Sequence, residues 1–185
     1  MKNGFAAGTA ATTLGRMFKG KPPRLGEVFQ RYDSPVYFVT FCSGHRRPWL
    51  ACDAVHRAFR EYATRGCAHG IAVGRYVIMP DHLHAFVCGG RELDLGMWVR
   101  GLKRALGVGA AVPAAGGERT VTALPSGTAA ATPLWQPGFF DHLLRSNESY
   151  AEKWEYVRQN PVRAGLVKRP EDWPYQGEIV VIDRV

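Results

Sequence analysis

The stretch Tyr76–Cys88, YVIMPDHLHAFVC, constrains the fold more than any other part of the chain. An apolar run breaks at Pro80-Asp81 and resumes at once, which predicts the two arms of a strand hairpin, residues 69–79 and 82–88. Strand side chains alternate between faces, so His82, His84 and Phe86 share one face while Leu83, Ala85 and Val87 share the other. Small and branched apolar residues suit packing against helices. The second face is therefore the expected core side, and two imidazoles stand next to each other on the opposite surface. Neutral imidazoles in that position can ligate a divalent metal. They can equally be partly exposed strand histidines with no ligand, and the tripeptide does not choose between the two.

The flanking pattern puts this hairpin in a mixed sheet. Residues 35–42, PVYFVTFC, are apolar on both faces, as a central strand covered on two sides requires. Beyond a turn-like stretch at Ser43–Pro48, Ala51, Val55, Ala58, Phe59 and Tyr62 recur at helical spacing, and this first helix ends near Arg65-Gly66. Leu95, Trp98, Val99, Leu102, Ala105 and Leu106 mark a second helix, from which Arg100, Lys103 and Arg104 point away as a basic outer face. The aromatic-rich segment 134–144 can supply a fourth strand, and Asn147 to Asn160 reads as a third helix limited by Pro161. The first six elements match the ferredoxin-like split βαβ arrangement: an α+β domain with an antiparallel sheet and, here, an extra C-terminal helix.

A chain of 185 residues, 46% hydrophobic, can bury one ordinary core and not two large ones. We expect a domain over 34–175, preceded by a flexible basic arm over 1–33 that carries the Lys21-Pro22-Pro23-Arg24 break. A Gly/Ala/Pro-rich insertion is expected over 107–133 and a tail over 176–185. The formal charge of +8 and a pI near 9.6 favour polyanionic partners such as nucleic acid. Four cysteines with no Cys-x-x-Cys spacing, set among apolar neighbours, suggest reduced thiols and a cytoplasmic protein. No apolar run approaches the roughly 20 residues that cross a bilayer, so no membrane association is expected.

Within the third helix, Tyr150, Trp154 and Val157 make an apolar stripe, whereas Glu152, Tyr156 and Asn160 fall four apart on a polar face. Tyr156 is thus not patterned as a core tyrosine. A surface tyrosine with a structural hydrogen bond would read the same way.

Three blocks in this order carry a resemblance: Met79-Pro80-Asp81-His82-Leu83-His84, then Leu134-Trp135-Gln136 through Phe139-Phe140-Asp141, then Tyr156 through Val167 continued by Asp172-Trp173-Pro174. Over about residues 35 to 175 the chain resembles the single-tyrosine HUH transposases and, within them, the REP-associated tyrosine transposases. Asn160 stands where the insertion-sequence branch of that family usually has glutamine; the REP-associated branch resembles this chain there. The resemblance implies a metal-dependent endonuclease and strand transferase acting on single-stranded DNA beside hairpins. It makes Tyr156 the nucleophile that forms a 5′-phosphotyrosine link, and His82, His84 and Asn160 the ligands of Mg²⁺ or Mn²⁺. Arg75, Arg100, Lys103, Arg104, Arg158 and Arg163 become candidate phosphate contacts, and Trp135, Phe139 and Phe140 candidate platforms for unpaired bases. The protein is expected as a monomer or homodimer. The alternatives are a domesticated, non-mobile hairpin-DNA binder and a water-using metal-dependent phosphoesterase, which would not need Tyr156. A ferredoxin-like RNA binder is disfavoured because the aromatic signature of such proteins is missing from the central strands.

Overall fold

The computed structural model of the chain describes residues 35–90, 92–111, 133–144 and 147–182. Strands β1 (Val36–Cys42), β2 (Ile71–Ile78), β3 (His82–Gly89), β4 (Phe140–Leu144) and β5 (Gln176–Glu178) form one antiparallel sheet in the order β4-β1-β3-β2-β5. Helix α1 (Asp53–Cys67) joins β1 to β2, and helix α2 (Leu95–Ala111) leads from β3 toward β4. The split βαβ topology expected from the pattern is therefore present, with β3 paired to β1 on one side and β2 on the other.

Both helices pack on the face that carries Leu83, Ala85 and Val87. Val39 and Phe41 of β1 join that layer, and it closes on Val55, Phe59 and Ala63 of α1 and on Trp98, Leu102 and Leu106 of α2. Each large side chain so buried contributes about 1.5–3 kcal/mol relative to exposure. The two helices approach closely because α2 offers no side chain at two points. A Cβ on Gly101 would stand 2.2 Å from the Tyr62 hydroxyl, and one on Gly109 would stand 2.7 Å from the Ala58 methyl.

Helix α3 (Asn147–Arg158) packs on the opposite face. Val157 is buried there with Val36, Phe38, Phe86 and Leu144, and the Tyr150 ring lies 4.4 Å from that of Phe86. A bulge at Gly74-Arg75 makes room for it, since a Cβ on Gly74 would stand 3.0 Å from the Tyr150 hydroxyl. The stripe of Tyr150, Trp154 and Val157 faces the sheet as the spacing predicted.

Three boundaries differ from the sequence reading. The third helix stops at Arg158 instead of Asn160, and a one-turn helix α4 (Asn160–Arg163) follows a kink at Gln159. Pro161 is the reason: it has no N–H for the Val157 carbonyl, and its ring crowds that carbonyl. Helix α2 extends to Ala111, five residues into the expected insertion, while 112–132 lie outside the described residues, as does the arm at 1–33. The expected tail at 176–185 contains β5, whose Gln176, Gly177 and Glu178 pair with Val77, Tyr76 and Arg75. Three residues without apolar alternation leave no strand signal. All four cysteines are free thiols, and among the described residues no helix is long and apolar enough to cross a membrane.

Candidate functional site on the histidine face

β3 is the central strand, so its residues meet β1 and β2 at fixed register. His84 lies opposite Thr40 and Val77, and His82 lies opposite Cys42. The two imidazole rings sit 4.8 Å apart, nearly perpendicular, and His84 stacks on Phe38 at 5.4 Å. Each ring is held through Nδ1. His82 Nδ1–H donates to Asp81 Oδ1 at 2.6 Å, and His84 Nδ1 lies 2.7 Å from Thr40 Oγ1. No described residue hydrogen-bonds either Nε2, so these are the atoms left for a ligand. A partner fixed on one nitrogen of an imidazole orients the ring and makes the other nitrogen the better donor.

The electrostatics keep both rings neutral near pH 7. Burial lowers the pKa of His82, which the Asp81 carboxylate partly offsets and the Arg46 charge reinforces. Burial also holds His84 well below the ordinary value of 6.5, with the His82, Arg46 and Arg163 charges acting in the same direction. Neutral imidazole is the form that ligates metal. Among the described residues no group of three or more His, Cys, Asp and Glu converges to hold a cation.

The turn that follows β1 is stitched to the hairpin tip. Ser43 N–H donates to Asp81 O at 2.9 Å, and Leu50 N–H donates to Pro80 O at 2.9 Å. This seam brings Arg46 against Asp81, with Nε 2.9 Å from Oδ2, so that one carboxylate joins Arg46 to His82. Thr40, Asp81 and Arg46 escaped the sequence reading. Asp81 had a signal, being the residue before His82, whereas the Thr40 contact depends on strand register and the Arg46 contact on a loop-to-turn seam.

Tyr156 is 61% exposed at the C-terminal end of α3. Asn160 and Arg163 follow on α4. The Arg163 guanidinium lies 4.1 Å over the Tyr156 ring and donates to the Tyr156 carbonyl at 2.6 Å and to Asn160 Oδ1. Arg163 is thus the candidate phosphate contact that the fold joins to Tyr156 and Asn160. The others are occupied or distant. Arg75 pairs with Glu178 at 3.5 Å beneath the Tyr150 and Trp154 rings, and Arg158 pairs with Glu155 and Glu171. Arg100 and Arg104 are exposed on α2, across the sheet from the histidines. Lys103 caps the Gln136 and Gly138 carbonyls, and burial pushes its pKa down to about 8. Trp135 is packed between Phe41 and Trp49, and Phe139 also joins the α1/α2 layer, while Phe140 lies exposed on the histidine side of β4, opposite Thr40. A broad depression along the outer face of α1, lined by Arg57, Arg60 and Arg65 together with Asp53 and Glu61, reads as a solvated helix face.

A REP-associated tyrosine transposase solved bound to a REP hairpin superposes with a TM-score of 0.58 at 19% identity, covering 85% of this chain and 97% of that one. The chain has the fold of a REP-associated tyrosine transposase. In sequence, 42 residues are 40% identical to the Escherichia coli K12 REP-associated tyrosine transposase, which is 23% of this chain and 26% of that protein. A Haemophilus influenzae protein matches at the same identity over the same length, 24% of its own chain. The chain thus covers about a quarter of the length of the curated relatives it matches. No family model matches it.

Proposed function

We propose that this protein is a transposase-type endonuclease and strand transferase that cuts single-stranded DNA beside hairpin, REP-like sequences. The observation that carries the reading is the seating of α3 across the histidine face, with Tyr156 exposed and Arg163 joining the Tyr156 ring and carbonyl to Asn160 Oδ1. The transposase designation of the E. coli relative and the hairpin bound to the solved one supply the substrate class.

His82, His84 and Asn160 would hold a divalent cation. The donor chemistry fits: two neutral imidazoles with unengaged Nε2 atoms, and an amide oxygen with two lone pairs, one of which Arg163 uses. When bound, the cation supplies Lewis-acid polarisation of the scissile phosphate. Imidazole is a softer donor than Mg²⁺ prefers, so Mn²⁺ is expected to bind more tightly than Mg²⁺. The phenolic oxygen of Tyr156 attacks phosphorus in line with the 3′-oxygen, forming the O–P bond as the P–O3′ bond breaks. The proton lost from the attacking oxygen is balanced by the one the departing 3′-oxygen takes up. The product is a 5′-phosphotyrosine with a free 3′-hydroxyl, and attack by another strand's 3′-hydroxyl reverses the step, giving transfer.

The test is a denaturing gel of purified protein with Mn²⁺ or Mg²⁺ and labelled single-stranded DNA carrying the hairpins that flank its gene. Wild type, Tyr156→Phe and His82→Ala are compared. A covalent adduct that requires metal and is lost in both variants is the expected result. Cleavage without adduct and indifferent to Tyr156→Phe would replace this reading with a water-using phosphoesterase; binding without cleavage would replace it with a non-mobile hairpin binder.

A further inference from the structure

His45 and Arg46 are consecutive non-glycine residues in the left-handed region, with φ of 53° and 56°. Side chains rarely tolerate that conformation, and it persists only where surroundings over-determine it. Here they do. Ser43 Oγ bonds the Arg47 carbonyl at 2.7 Å and the Asp81 carbonyl at 3.1 Å, Gly44 N–H donates to Leu134 O at 2.8 Å, and a Cβ on Gly44 would run into the Pro133 carbonyl. The strain has one visible product, the aim of Arg46. Its Nε meets Asp81 Oδ2, its Nη1 lies 2.8 Å from Cys42 Sγ, and among the described residues nothing engages Nη2. The side chain is 51% exposed. Stability does not account for this arrangement, because an ion pair at such a surface contributes little.

We propose that Arg46 is a phosphate-binding residue of the site, presenting Nη2 to a backbone phosphate of a DNA strand laid across His82 and His84. The planar fork suits that role: it is held at Nε by Asp81 and at Nη1 by Cys42, so Nη2 meets an oxyanion without further ordering. The inference deepens the DNA-cleaving function proposed above and rests on it. Asp81 bridges the guanidinium to His82, which places Arg46 beside the imidazole pair.

The test uses the full-length protein in chelator and measures, by anisotropy, binding of the same hairpin oligonucleotide as salt is raised. Wild type, Arg46→Gly and Arg46→Lys are compared, glycine being free to adopt this φ. Loss of one single-strand phosphate contact lowers the slope of log K against log salt by about 0.7. Arg46→Gly should show that drop, and in the separate Mn²⁺ gel assay a roughly tenfold or greater fall in adduct formation. Arg46→Lys should keep the slope, and Mn²⁺ affinity measured without DNA should not fall in either variant. An unchanged slope in Arg46→Gly, or a fall in Mn²⁺ affinity with the slope intact, would overturn the proposal, the second outcome making Arg46 a prop for Asp81 and His82. If wild type binds no single-stranded DNA, the DNA-cleaving function falls with it. Should Arg46→Gly melt early, Arg46→Gln replaces it under the same criteria.

Discussion

The two faces of one sheet are built from alternate residues of the same strand, yet they are finished differently. On the face of Leu83, Ala85 and Val87, α1 and α2 bury Val39, Phe41, Val55, Phe59 and Leu102 to 1% exposure or less. On the face of His82, His84 and Phe86, α3 covers Phe86, Phe38 and Val36 and leaves the histidines only partly buried. The first face is closed by apolar packing of both helices. The second has polar groups where the helical cover runs out, and among the described residues each imidazole is tied on one nitrogen only. The contrast teaches that the fold is secured by one layer, which frees the other to carry residues that stability alone would not select.

Substitutions that break the filled face should have the largest effect. Phe59→Ala removes a fully buried ring touching Tyr76 at 4.4 Å and should cost about 3–5 kcal/mol in urea unfolding. Overfilling the same layer should cost less. Gly101→Ala drives a methyl into the Tyr62 hydroxyl, which donates to the Trp98 carbonyl at 3.1 Å, and should destabilise by about 1–3 kcal/mol. A loss below about 0.5 kcal/mol in both would mean that this layer is not the tight one.

On the other face, Thr40→Val keeps the shape of the side chain and removes the hydroxyl beside His84 Nδ1. Loss of such a supporting contact typically lowers metal affinity about 10–100-fold. Calorimetric titration with Mn²⁺ should show that drop with thermal stability near wild type. Unchanged Mn²⁺ affinity would remove Thr40 from the site and with it the argument that β1 orients His84.

Period-two alternation is local geometry, and so the assignment of Leu83, Ala85 and Val87 to the core and of His82 and His84 to the other side was legible from the sequence. The stripe of Tyr150, Trp154 and Val157 was legible for the same reason at helical period. The register that sets Thr40 against His84 is a non-local pairing, and no window of either strand contains it. Basic residues were the least legible. Arg75, Lys103 and Arg158 look like free cations in a sequence, but each is tied by groups distant in the chain: Glu178, the Gln136 and Gly138 carbonyls, and Glu171.

The smallest expected effect compares a titrating histidine on each face. His56 of α1 bonds the Tyr76 hydroxyl at 2.8 Å, and burial, with the Arg60 charge, lowers its pKa; His84 is lowered further, again chiefly by burial. Both are neutral when folded and both protonate near 6.5 when unfolded. Below that pH the unfolded chain binds more protons than the folded one, so the folded state loses stability as pH falls. Their contribution is complete above about 6.5 and declines from there toward the depressed folded values, over the wider window for His84. Urea midpoints measured in chelator at falling pH should therefore decline below about 6.5. His84→Gln should flatten that decline more than His56→Gln does. If His56→Gln flattens it more, the histidine face is more open to water than its packing indicates, and the imidazoles there would lose their neutral, ligating form at a higher pH than this geometry requires.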